Sequence, residues 1–133
     1  MNDIDLSDVT NPVYSLLHES AIESLARDVG RGQLPVLLAA FSGELERREP
    51  LLQAASARGD LQAIARETHS LKGSALTFGA LVLGAAARRA NDASRAGDQD
   101  SARAAICEVL ELIPRTREAV MLQLSRAREE QRT

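Results

Sequence analysis

The chain predicts an all-α fold, an antiparallel up-down four-helix bundle with an additional short N-terminal helix. Ala and Leu, both strong helix formers, supply most of its apolar residues, whereas aromatic residues make up only 2% of the 133. Apolar residues recur at the three-four spacing of a core-facing helical stripe. Glycine and proline punctuate that spacing at close intervals, and short connections between long helices favour antiparallel neighbours. The length fits one domain with a single substantial core.

Residues 1–11 are polar, end at Asn11-Pro12 and read as a flexible lead-in to a helical domain over residues 12–127. A first short helix is expected from about Ser15 to Val29, with Leu16, Leu17, Ile22, Leu25 and Val29 as its apolar set, stopped by Gly30-Arg31-Gly32. It should cap one end of the bundle. The second helix is expected from Leu34 to Arg58, its stripe made by Leu34, Leu37, Leu38, Phe41, Leu45, Leu52 and Ala55. Pro35 suits a first turn, whereas Pro50 removes a backbone bond to Glu46 and predicts a kink. Gly59 ends this helix and Asp60 can cap the next. A third helix should run from Leu61 to about Phe78, broken by Gly79, and a fourth from Ala80 to about Arg95, closed by the Gly97-Asp98 turn. The fifth and longest pattern holds from Ala102 to about Ala127, bent at Pro114, and residues 128–133 form a charged tail expected to fray.

Net charge is −3, with no basic patch of the kind a nucleic-acid reader needs. No apolar run approaches the roughly 18 residues of a membrane span, and the acidic Met1-Asn2-Asp3-Ile4-Asp5 start is unlike a signal peptide. The lone Cys107 excludes an internal disulfide and suits a reducing compartment, so a cytoplasmic location is expected. With two histidines and no cluster at ligand spacing, no metal site is expected. Cys107 reads as a small core or half-buried residue, and His18 as a solvated or capping one. Ser70 and Ser74 have no evident acid–base partner. Arg47-Arg48 and Arg88-Arg89 read as helix-face charges.

The third helix is the informative element. At 100° per residue, Leu61, Ile64, Thr68, Leu71, Ala75 and Phe78 share one face, and His69 lies roughly 130° from its centre, toward solvent. Ala65, Arg66, Lys72 and Gly73 neighbour His69 three and four residues away. Imidazole is nucleophilic at neutral pH without a helper base. The Lys72 ammonium is placed to meet the oxygens of a phosphorylated ring, with Arg66 able to add its fork of donors. Gly73 costs about 1 kcal/mol relative to alanine within a helix, and its benefit is room for an approaching active site. Ala65 and Leu76 add a small apolar docking surface, which Arg88 on the next helix could border. The residues alone fit a phosphoryl carrier or a docking site.

The segment Ala65-Arg66-Glu67-Thr68-His69-Ser70-Leu71-Lys72-Gly73-Ser74-Ala75, followed by Phe78-Gly79-Ala80, resembles the signature of histidine-containing phosphotransfer (HPt) domains. Phe41, the turn from Ala55 to Asp60, Leu83 and Arg95-Ala96-Gly97-Asp98 extend the likeness over about Leu25 to Val120. Thr77-Phe78-Gly79 is also similar to the phosphotransfer domain of chemotaxis-type histidine kinases. The resemblance implies phosphorylation of His69 on Nε2, a phosphoryl group steadied by Lys72, and a partner admitted by Gly73. It implies a Glu or Gln facing the histidine from the next helix. Asn91 matches that position, with Ala90 where leucine is usual. The implied partners are response-regulator receiver domains and a hybrid histidine kinase, the receivers bringing Mg²⁺ and this chain binding no cofactor. A monomeric phosphoryl carrier, not a freestanding enzyme, is therefore expected in a two-component phosphorelay. The alternatives are a docking module that binds a receiver or kinase without transfer, and a fragment of a histidine kinase. For the latter, this chain lacks the strand-rich or glycine-rich region that an ATP-binding domain needs.

Overall fold

Helix boundaries in the computed structural model, which describes residues 16–132, follow the glycine punctuation closely. The elements are α1 (Glu19–Val29), a single 3-10 turn (Arg31–Gln33), α2 (Leu34–Arg58), α3 (Leu61–Thr77), α4 (Leu81–Arg95) and α5 (Gln99–Arg132). Among the described residues there is no strand. Helices α2 to α5 pack in sequence order around a closed ring, α2 against α3, α3 against α4, α4 against α5 and α5 back against α2. That arrangement is the up-down four-helix bundle with an added short N-terminal helix.

The core is almost wholly aliphatic. Leu38, Leu45, Leu52, Ile64, Leu71, Leu83, Ile106, Val109, Ile113 and Val120 are fully enclosed, and Phe41 stacks on Phe78 with ring centroids 4.4 Å apart. The small residues Ala86, Ala87 and Ala90 are also fully buried and let α4 lie close to its neighbours. Pro50 and Pro114 both lie inside unbroken helices. Gly59 takes a left-handed φ of 65° at the end of α2, and Asp60 caps α3 by accepting from the Ala63 N–H at 3.1 Å. Asp98 accepts from the Ser101 N–H at 3.1 Å at the start of α5. These hydrogen bonds hold both carboxyl groups below the usual carboxylate range, with Arg58 assisting at Asp60 and the Ser101 hydroxyl at Asp98.

Helix α1 lies across the end of the bundle where α3 turns into α4. The His18 N–H donates to Gly79 O at 2.7 Å, and the turn admits this contact because Gly79 has φ 74° and no side chain. A Cβ there would lie 2.7 Å from Ala21 Cβ and 2.8 Å from His18 O. His18 is a capping residue: its Nδ1 accepts from the Ser20 N–H at 3.3 Å.

Several expectations change in detail. Leu16 and Leu17, just ahead of α1, and Ile22 and Leu25 within it pack inward as expected, but Val29 is exposed, because the chain turns away at Gly30. Helix α5 begins earlier than Ala102, at Gln99, because Asp98 starts it. It also continues through Arg132, where an Arg132–Glu129 pair at 2.7 Å joins successive turns of the tail expected to fray. Cys107 is exposed rather than half-buried, since it lies one residue beyond the core position Ile106. The lead-in over residues 1–11 and Ser15 lie outside the described residues, but the first helix expected from about Ser15 starts only at Glu19, because His18 caps it there. No helix among the described residues is long and apolar enough to cross a membrane.

Candidate functional site

Helix α3 is anchored on one side and open on the other. Ile64, Thr68, Leu71 and Ala75 are buried, and Leu61 is packed at the core margin, as the helical wheel requires. His69 is exposed near the middle of the helix. Lys72 is half-buried beside it, Gly73 is exposed, and Leu76, one turn further along, keeps 52% of its surface in solvent. A Cβ built on Gly73 would meet nothing within 4 Å. The clearance therefore opens outward, and the bundle itself does not require glycine at this position. Among the described residues no carboxylate pairs with Lys72 and no side chain bonds the His69 imidazole.

Two seams flank this helix. Toward α2, Arg48 bridges Glu44 at 2.9 Å and also bonds Glu67, and Ser74 donates to the same Glu44 carboxylate at 2.9 Å. Each of the three charged side chains in this network is at least four-fifths buried, so its charges are poorly screened and hold the seam in register. Sequence reasoning treated Arg48 as a helix-face charge. The Glu44–Arg48 spacing of four residues was the available signal, but the contribution of Glu67 depends on how α2 and α3 pack.

Toward α4 the seam opens into a groove of about 500 Å³ lined by Lys72 and Leu76 from α3 and by residues of α4 from Leu81 to Asp92. Leu76, Leu81, Gly84 and Ala85 give it an apolar floor, while Arg88 and Arg89 make a cationic margin. Gly84 sits where a Cβ would lie 3.3 Å from Leu76 Cδ2 and 3.6 Å from Ala75 Cβ, so its lack of a side chain lets Leu76 lie over α4. Arg88 approaches Asp92 at 3.9 Å, and Arg89 bridges Glu108 on α5 at 2.8 Å. Leu81, Gly84, Ala85 and Asp92 were not singled out from sequence. Their three-four recurrence on α4 marks a second stripe, masked by the small size of its central members.

The remaining site candidates divide. Leu76 and Arg88 join the groove that borders His69 through Lys72. Arg66 is exposed, and its Nε lies 3.7 Å from a Glu67 oxygen. Ala65 is half-buried, and its carbonyl accepts a 2.7 Å bond from Asn91 Nδ2. Asn91 is thus brought to the histidine-bearing helix, but its amide is engaged with the backbone one turn before His69. Among the described residues no three His, Cys, Asp or Glu side chains gather where they could hold a metal ion.

The antiparallel helical bundle thus presents outward an exposed histidine with no side-chain partner among the described residues, beside a lysine with no carboxylate partner among them and an open glycine. The chain belongs to the Hpt domain family, whose model matches residues 36–126. Its sequence is 29% identical over 100 residues to the phosphorelay protein LuxU of Vibrio cholerae, an alignment covering 75% of this chain and 88% of that protein. Its fold is similar to the crystal structure of histidine-containing phosphotransfer protein B (HptB) from Pseudomonas aeruginosa. That match has a TM-score of 0.77 at 28% identity and covers 83% of this chain and 95% of the other.

Proposed function

We propose that this protein is a phosphoryl carrier in a two-component phosphorelay, with His69 as the residue that is phosphorylated. The observation that carries this reading is the exposed His69, set beside Lys72 and Gly73 within the region that defines the chain as an Hpt domain. The relatives named as phosphorelay and phosphotransfer proteins support it.

In the proposed reaction the neutral imidazole attacks the phosphorus of an aspartyl phosphate on a receiver domain, using the Nε2 lone pair while Nδ1 carries the ring proton. The N–P bond forms, the acyl-phosphate O–P bond breaks, and the receiver's aspartate leaves as a carboxylate. Transfer onward reverses these bonds, a second receiver's carboxylate attacking the phosphohistidine. Lys72 balances the charge of the phosphoryl oxygens, and Arg66 turns from Glu67 to assist it. Gly73 leaves room for the receiver's active-site loops, while Leu76, Ala65 and Arg88 contribute docking surface. The receiver supplies Mg²⁺ and most of the catalytic groups, so the carrier works as a cytoplasmic monomer without nucleotide, cofactor or kinase activity of its own. The phosphoryl source upstream is a hybrid histidine kinase.

The test is transfer from a panel of phosphorylated receiver domains to the wild-type chain and to His69→Ala. The expected result is an acid-labile, alkali-stable label on the wild type and none on the variant. Binding of a receiver without labelling of either protein would replace this reading with that of a non-transferring docking module.

A further inference from the structure

The bond between Asn91 and α3 has a consequence for the reactive residue. Asn91 lies on α4 and is only 4% exposed, among the fully buried Ala86, Ala87 and Ala90. A buried amide requires partners, and Asn91 Nδ2 finds one 2.7 Å away at Ala65 O. In an α-helix the carbonyl of Ala65 is also the acceptor for the backbone N–H of His69. Asn91 therefore acts on the hydrogen bond that fixes the backbone of His69.

A second side chain works on the same turn. The Thr68 hydroxyl donates to Ile64 O at 2.6 Å and lies 3.4 Å from Ala65 O. Hydroxyls bonded to the carbonyl four residues back tilt that carbonyl and bend the helix. The turn immediately before His69 is thus drawn by Thr68 from within α3 and by Asn91 from α4. The imidazole itself has no side-chain partner among the described residues.

We infer that Asn91 is a positioning residue that orients His69 through the Ala65 carbonyl and leaves both ring nitrogens free. The inference rests on the phosphotransfer reading and deepens it. A ring held from α4 would be fixed in one tautomer and one rotamer. A ring held only through its backbone can carry its proton on Nδ1 while Nε2 attacks. After transfer Nδ1 keeps that proton, so the phosphorylated ring is cationic and leaves as neutral imidazole in the onward step. Asn91 supplies direction of approach, and the free ring supplies reversibility.

The full-length chain tests this with two readouts. Imidazole ¹⁵N NMR should show the His69 ring exchanging between tautomers, with the same signals in the wild type and in Asn91→Ala. Single-turnover transfer from a phosphorylated receiver should slow in Asn91→Ala on the order of tenfold, with the half-saturating receiver concentration unchanged, because the attacking ring is misdirected while the docking groove is intact. Asn91→Asp preserves the volume and, when ionised, cannot donate to a carbonyl, so it carries the same expectations if the alanine variant does not fold. A wild-type ring locked in one tautomer and released by either substitution would overturn the inference by showing a bond to the imidazole. A folded variant transferring at the wild-type rate would overturn it by reducing Asn91 to packing. If the wild type accepts no label from any receiver, the phosphotransfer reading fails, yet the ring spectrum still answers whether Asn91 bonds the imidazole.

Discussion

The two sides of α3 are built on opposite principles. The inner side is closed: Ile64, Leu71 and Ala75 are buried in the core, and Glu67 and Ser74 join the largely buried network with Glu44 and Arg48 of α2. The outer side is open: Lys72 has no carboxylate partner among the described residues, Gly73 has empty space around it, and Leu76 lies over a groove floored by small residues of α4. Side chains on the closed side fix where the helix lies. Those on the open side are left available for a partner. A phosphoryl carrier needs this division, because an imidazole serving several partners must be held in place without being enclosed.

The sharpest way to break the comparison is to truncate one leucine from each side. Leu71 is fully buried, so Leu71→Ala should cost about 2–5 kcal/mol and lower the thermal midpoint clearly. Leu76 is half exposed, so Leu76→Ala should change stability by no more than about 0.5 kcal/mol. Its cost should appear as a higher half-saturating receiver concentration in transfer. Equal destabilisation by the two substitutions would mean that the groove is part of the core.

Next in size is the α2 seam. Arg48→Ala leaves Glu44 and Glu67 close together without their shared cation, and should cost about 1–2 kcal/mol, between the values for exposed and fully buried pairs. Urea unfolding measures this. Transfer by the folded variant should change much less than in Leu76→Ala, because no member of the network lines the groove.

Legibility in the sequence follows the same division. Helix spans, the core stripe and the outward direction of His69 come from local periodicity, which one chain displays fully; Leu34–Arg58 emerged with both ends as expected. Interhelical partnerships do not. Asn91 was expected to face the histidine, and its choice of Ala65 O depends on how α3 and α4 approach across the alanines of α4, a distance no spacing encodes. Arg48 and Glu67 lie 19 residues apart on different helices, and nothing local distinguishes them from solvated charges. Nothing local marks Gly84 either, because its use depends on Leu76 of α3 lying over it.

Gly73 separates stability from access in a single substitution. Since a Cβ there meets nothing within 4 Å, Gly73→Ala should stabilise the chain by about 1 kcal/mol through helix propensity alone. The same methyl group stands where a receiver must approach, so transfer should slow while the thermal midpoint rises. A variant both more stable and equally fast would show that the partner approaches from another direction.

The smallest effect concerns the helix starts, where Asp60 caps α3 and Asp98 caps α5, with Gln99 Nε2 linking the two turns through Gly59 O at 3.0 Å. Both carboxyl pKa values are lowered in the folded chain, first by the backbone N–H groups they accept from. A lowered folded pKa means that the unfolded chain takes up the proton more readily. The stabilisation is therefore complete above the unfolded value of about 4 and is lost as pH falls through the folded values. Acidification below about pH 4 should thus loosen this end of the bundle, with amide exchange rising first around Ala63 and Ser101. Asn also caps helices but does not titrate in this range, so Asp60→Asn and Asp98→Asn together should flatten that part of the acid limb without abolishing either helix start. An acid limb unchanged in the double variant would show that these two helix caps do not set it.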